Sequence, residues 1–160
     1  MKNTLIVYGT GRMDEANHTL ARRWQETVAN AYIEILPPLV KDSELTKKQA
    51  ASHDLIVMGT LNDNRWFADG VGNLPVKFGR NHFEWRGVTY GAPDDGLFLV
   101  VPNPFNKKRV MYIIAANSAL QLHEMTKKYV REIPSWAVFK GDEVAEKGYH
   151  PVAAFEMGGS

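Results

Sequence analysis

The stretch HDLIVMGTLNDNRW, His53–Trp66, decides how this chain is read. Its apolar run, Leu55–Met58, ends abruptly in Gly59-Thr60 and hands over to an amide-rich segment. A short run of β-formers closed by glycine reads as a buried strand. The N-terminus repeats the pattern in TLIVYGTGRMDEAN, Thr4–Asn17, where Leu5–Tyr8 is the apolar run and Gly9-Thr10 the stop. Both Gly-Thr pairs therefore fall at the carboxyl ends of strands. The question is whether they form the mouth of a site or only turns.

Between the echoes the hydrophobic period changes. From Asp14 onward, Ala16, Leu20, Trp24 and Val28 recur at helical spacing, with Arg22, Arg23 and Glu26 on other faces. Tyr32–Leu36 reads as a second strand stopped by Pro37-Pro38. DSELTKKQAASH, Asp42–His53, supplies a short helix with Asp42 or Ser43 as its N-cap. LNDNRWFADGVGN, Leu61–Asn73, has room for one or two irregular helical turns. Then LPVKFG, HFEWRG and VTYG, alternating and punctuated by glycine, form a small β-arm. Leu97–Val101 and Val110–Ala115 flank a Pro/Asn/Lys loop of hairpin length. Ser118, with Gln121 three residues on, reads as a capping box for a helix to about Arg131, with Leu122, Met125 and Tyr129 inward. WAVFKG at Trp136–Gly141 gives a further strand, and YHPVAAFEM at Tyr149–Met157 a last edge strand.

This order predicts an α/β three-layer sandwich. Its sheet is expected to be mostly parallel and flavodoxin- or Rossmann-like, with an antiparallel hairpin and a small β-arm. Residues 1–157 form one domain and 158–160 a tail.

Composition narrows the function classes. Lys plus Arg total 19 against 18 for Asp plus Glu, so the basic surplus of a nucleic-acid binder is missing. The basic pairs, such as Arg22-Arg23 and Lys107-Lys108, are scattered and read as solvated faces. With no cysteine there is no disulfide, thiolate nucleophile or cysteine metal site. No apolar run approaches the ~20 residues of a membrane span, and MKNTLIVYG is not a secretory signal.

Catalytic motifs are equally scarce. No serine lies in G-x-S-x-G, and no histidine pair has metal-ligand spacing. GTGRMDEAN has G-x-G without the third glycine of a dinucleotide fingerprint, although Glu34 stands where an acidic ribose partner would. No Walker sequence occurs, and no cofactor is expected. Asp94-Asp95 suits either a cation or a turn. The aromatic group Trp66, Phe67, Phe78, Phe83, Trp85 and Tyr90 suits either a pocket or the fastening of the β-arm.

The candidate ligand site is the Gly-Thr rim: Thr10, Arg12, Thr60, Asn62, Asn64 and Arg65. Open α/β sheets bind ligands at that edge. The same residue types equally make strand-end turns and N-caps. PNPFNKKR, Pro102–Arg109, is placed at the opposite pole, as a rigid turn or a docking surface for another domain.

The succession YGT, EAN, HDLIVMGTLNDNRW, LPVKF, YGAPDDGLFLVVPNPFNKKRVMYIIAAN and PSWAVFKG resembles an accessory α/β module of large secreted bacterial proteins. Many of these carry an esterase- or peptidase-like α/β-hydrolase domain. The resemblance runs from about Leu5 to Phe155 and is most specific in GLFLVVPNPFNKKRVMYIIAAN. It implies a non-catalytic role beside a hydrolase, a neighbouring domain of the parent protein as partner, and an extracytoplasmic or secreted location. It carries over no catalytic residue. The alternative is a free-standing flavodoxin-like domain that binds a small nucleotide or flavin at the Gly-Thr rim.

Overall fold

The computed structural model describes residues 4–11, 14–32, 37–61, 63–68, 74–127 and 135–149. The first strand, β1 (Thr4–Tyr8), leads into helix α1 (Asp14–Tyr32) and returns as β2 (Leu39–Lys41). The one-turn-plus helix α2 (Lys47–Ser52) feeds β3 (Asp54–Thr60), which ends in the single turn α3 (Arg65–Ala68). Three short strands follow, β4 (Lys77–Gly79), β5 (His82–Trp85) and β6 (Val88–Tyr90). The hairpin β7 (Asp95–Asn103) and β8 (Asn106–Ala116), helix α4 (Ala119–Met125), β9 (Trp136–Lys140) and β10 (Glu143–Gly148) complete the described chain.

The expectation of a flavodoxin-like, mostly parallel sandwich is overturned. The main sheet is mixed, in the order β10-β9-β7-β8-β3-β1-β2, and β4-β5-β6 form a second, antiparallel sheet. Among the described residues strand outweighs helix. The β2, β1, β3 and β8 strands are parallel neighbours. From β8 outward every pairing is antiparallel. The cause lies in the connections. Parallel neighbours need a long crossover, whereas antiparallel ones need only a tight turn. Here β7 turns directly into β8, and β9 turns into β10 through Gly141, whose φ of +62° suits glycine.

Each face of the sheet has its own cover. Ile6, Tyr8, Ile56, Met58, Ile114 and Phe139 pack under α1 and α4 against Leu20, Ala21, Trp24, Leu122 and Met125. On the other face Val7, Val57, Leu97, Leu99, Ile113 and Val138 meet α2, α3 and the three-stranded sheet through Ala50, Phe67, Phe83 and Trp85. A doubly wound fold covers such a face with helices. This chain covers much of it with a β-meander.

Four local expectations are also corrected. Of the strand expected at Tyr32–Leu36, Tyr32 belongs to α1 and 33–36 lie outside the described residues, while β2 follows Pro37-Pro38. The N-cap of α2 is Thr46, in a reciprocal capping box with Gln49, because the Asp42 carboxylate is engaged elsewhere. Ser118 does cap α4, but the Gln121 side chain donates to Gly141 O at 2.8 Å instead of turning back, and α4 ends at Met125. Among the described side chains of α1 the inward positions are Asn17, Leu20, Ala21 and Trp24, while Ala16 is exposed and Val28 lies outside them. The expected edge strand at Tyr149–Met157 lies outside the described residues beyond Tyr149, and β10 precedes it.

The aromatic group fastens the meander to the sheet. Phe67 and Phe78 lie 5.0 Å apart, Phe83 stacks on Tyr90 at 5.1 Å, and Trp85 meets Trp136 of β9 edge-on at 5.7 Å. Arg86 covers the Trp136 ring from 4.9 Å, and Tyr90 Oη donates to Glu146 of β10. A Cβ at Gly148 would stand 2.7 Å from the same indole, so β10 runs bare beneath it. Trp136→Ala is therefore expected to lower stability by about 3–5 kcal/mol. Urea unfolding followed by circular dichroism measures this directly; a loss under 1 kcal/mol would contradict the fastening role.

Candidate functional site

The carboxyl ends of β2, β1 and β3 lie side by side, and their residues form one hydrogen-bond network. Thr10 Oγ1 donates to Asp42 Oδ1 at 2.5 Å. The same oxygen accepts from Ser43 N at 2.8 Å, and Asp42 Oδ2 accepts from Arg65 N at 2.9 Å. Asp42 N donates to Tyr8 O, and Asp42 O accepts from Trp66 Nε1. Asp42, only 3% exposed, thus ties the ends of β1 and β2 and the start of α3 together. Thr60 Oγ1 donates to Asp63 Oδ2 at 2.9 Å, closing the turn after β3.

Asn64 lies at the centre and is 0% exposed. Its Nδ2 donates to Met58 O on β3 at 2.9 Å and to Val7 O on β1 at 3.3 Å, and its Oδ1 accepts from Trp66 N. Asn64 thereby adds one side-chain donor to carbonyls of both strands at the point where they separate. The two glycines now have a physical reason. A Cβ on Gly9 would stand 2.8 Å from Asn64 N and from Asp63 O, and one on Gly59 would be 3.1 Å from Asn64 Cβ. Both Gly-Thr turns are shaped to let the Asp63-Asn64 segment pass between the strands.

This is the place where an open sheet normally offers a crevice. After β1 the chain turns to one face through α1, and after β3 to the other through α3. Such a divergence of neighbouring strands is where α/β proteins admit a ligand. Here the chain's own Asn64 fills it.

Among the expected rim residues, the structure brings together Thr10, Thr60, Asn64 and the backbone of Arg65, whose side chain is exposed. Arg12 and Asn62 lie outside the described residues, as does Glu34. Sequence reasoning missed Asp42, Asp63 and Asn17. The Thr60-x-x-Asp63 spacing carried a local cue, since a hydroxyl and a carboxylate at that separation close a turn. Asp42 and Asn17 carried none, because their partners Thr10 and Gly9 lie across the chain.

The other candidates resolve into structural roles. Asp94-Asp95 holds a cation, but it is the chain's own Lys140, 2.7 Å from Asp94 and 3.3 Å from Asp95. The hydrogen bond from Lys140 holds the Asp94 carboxyl below its usual range, and the lysine is raised in turn. PNPFNKKR sits at the opposite pole and caps α2: Asn103 donates to Ala50 O and His53 O, and Asn106 to Ala51 O. These are the carbonyls that a helix end leaves unpaired. Among the described residues no three His, Asp or Glu side chains gather as a metal cluster. Among them, too, no helix is long and apolar enough to cross a membrane.

Asn64→Ala is expected to cost about 2–4 kcal/mol, since it removes the buried side-chain bonds to Val7, Met58 and Trp66 and opens a void. Asn64→Asp is expected to cost more at neutral pH, because a carboxylate would face those same oxygens. Burial raises such a carboxyl above its unfolded value, so the native state holds the extra proton and the variant regains stability as pH falls. Denaturation from pH 7 to pH 4 checks the sign; a variant that weakens further in acid would contradict the assignment. Compared with protein-family models and with curated proteins, the sequence matches none.

Proposed function

We propose that this chain is a non-catalytic accessory domain of a larger extracytoplasmic hydrolase of esterase or peptidase type. The observation that carries the reading is the filled divergence between β1 and β3. A domain that binds or turns over a small molecule keeps that place open, whereas here Asn64 bonds to both strands within it. Thr10 and Thr60 spend their hydroxyls on Asp42 and Asp63. The motif succession described above supplies the hydrolase and the exported location, with a neighbouring domain of the parent as the partner.

The electrostatics weigh against the alternative nucleotide or flavin binder. Phosphate sites present N–H donors and positive partial charge. The rim instead presents two buried carboxylates, Asp42 and Asp63. A phosphate brought there would meet like charge at low local dielectric.

Two measurements test the proposal. An antibody to this domain, used on cells and medium of the native source, is expected to detect a band far above 18 kDa outside the cytoplasm. A cytoplasmic band near that mass would overturn the reading. The isolated domain is expected to show no turnover of p-nitrophenyl esters or peptide anilides and no thermal shift with nucleotides or flavins. Turnover abolished by one substitution would overturn it, as would a nucleotide shift lost in Thr60→Val.

A further inference from the structure

Folding brings together two basic pairs that lie far apart in the sequence. Lys47 and Lys48 open α2, and Lys107 and Lys108 follow Asn106 at the start of β8; all four are exposed. The hairpin tip is pinned to the helix. Asn106 Nδ2 donates to Ala51 O at 2.8 Å, and Asn103 Nδ2 to Ala50 O at 2.7 Å. Lys48 precedes Ala51 by three residues, which puts it one turn away on the same side of α2. At about 1.5 Å of rise per residue, both α2 lysines start within about 6 Å, along the axis, of the residue that Asn106 grips. One surface therefore carries four ammonium groups.

Its charge is not balanced from within. Lys plus Arg total 19 and Asp plus Glu 18, so carboxylates are plentiful in the chain. Elsewhere they meet their opposites: Arg22 faces Glu26, Lys127 faces Glu124, and Lys140 faces Asp94. Among the described residues no carboxylate pairs with Lys47, Lys48, Lys107 or Lys108. Asp54, just past α2, is already engaged by Arg109 at 3.9 Å and by Val110 N at 2.9 Å. Like charges gathered on one face raise a positive potential that draws in anions.

We propose that this α2–hairpin surface binds a linear phosphate polymer that carries no bases. Such binding goes beyond the accessory role and does not depend on it. Flexible, strongly hydrated lysines suit the spaced point charges of such a chain, whereas protein interfaces are depleted in lysine. A membrane would ask for an exposed apolar residue to insert. Among the described residues the large exposed ones are Val88, Leu120 and Tyr149, on β6, on α4 and just after β10. A nucleic acid would ask for a ring on which bases stack. The rings at hand, Phe105 and Trp66, meet edge-on at 5.3 Å and pack against the core.

The test is calorimetric titration of the whole chain with inorganic polyphosphate between about 50 and 200 mM salt. Four neutralised charges are expected to give log K against log salt a slope of about −3. Lys47→Gln with Lys48→Gln, and Lys107→Gln with Lys108→Gln, are each expected to cut that slope to about half. All four side chains are exposed, so these variants keep the fold. Arg22→Gln with Lys147→Gln removes the same charge from α1 and β10 and is expected to leave the slope unchanged. No binding at the lowest salt, a loss confined to one lysine pair, or an equal loss in the α1 and β10 variant would each overturn the proposal. Tighter binding of single-stranded DNA, or of phosphatidylglycerol vesicles, than of polyphosphate would do the same.

Discussion

The rest of the structure depends on how β1 and β3 part company. The two strands run in register from Thr4 and Asp54 to Tyr8 and Met58, and then leave the sheet toward opposite faces. At the parting, the buried Asn64 ties the two strands together by donating to Val7 O and Met58 O with one amide group. That solution forces glycine at positions 9 and 59, fixes the sharp turn closed by Thr60 and Asp63, and starts α3 through Trp66 N. Asp42 then secures the outer strand to the same knot.

A sheet locked at that point no longer needs helices on every connection. The meander spreads over the face opposite α1, held by aromatic contacts to β9 and by Asn117, whose Nδ2 donates to Tyr90 O and Ala92 O. The second half of the sheet can then grow by tight turns. The parallel half and the antiparallel half meet at β8, which pairs β3 on one side and β7 on the other. Its inner residues are apolar on both faces, with Ile113 in one core and Ile114 in the other. A strand buried twice over reads as an unbroken hydrophobic run, and VMYIIAA is one.

That is why the central strands were legible in the sequence while the topology was not. Leu55–Met58, Leu97–Val101 and Val110–Ala115 announce themselves by continuous burial. The direction in which neighbours pair is decided by connections, and a three-strand meander looks locally like a decoration rather than the replacement of a helical layer. Tyr32 misled because a β-prone residue there still belongs to α1, while Pro38 O pairs with Ile6 of β1. EVAEKG gave no hint of β10, since an outer strand with little buried surface needs no alternation. At the strand ends, the turn chemistry of Thr10, Thr60 and Asn64 could be read locally. The distant partners could not, because Asp42 reaches Thr10, and Val7 reaches Asn64, only after folding.

The outermost strands carry a consequence of their own. Among the described residues β2 and β10 are the two sides of the main sheet. The first is three residues long and follows two prolines, and the second bears Glu143, Glu146 and Lys147 with a break in register between Val144 and Glu146. Short length, proline, charge and irregularity are the means by which proteins discourage another chain from pairing with an open side. Extension of this sheet by one more strand is thereby disfavoured at both described sides. That shifts recognition by a neighbour away from the backbone and toward the side chains of the helical and meander faces.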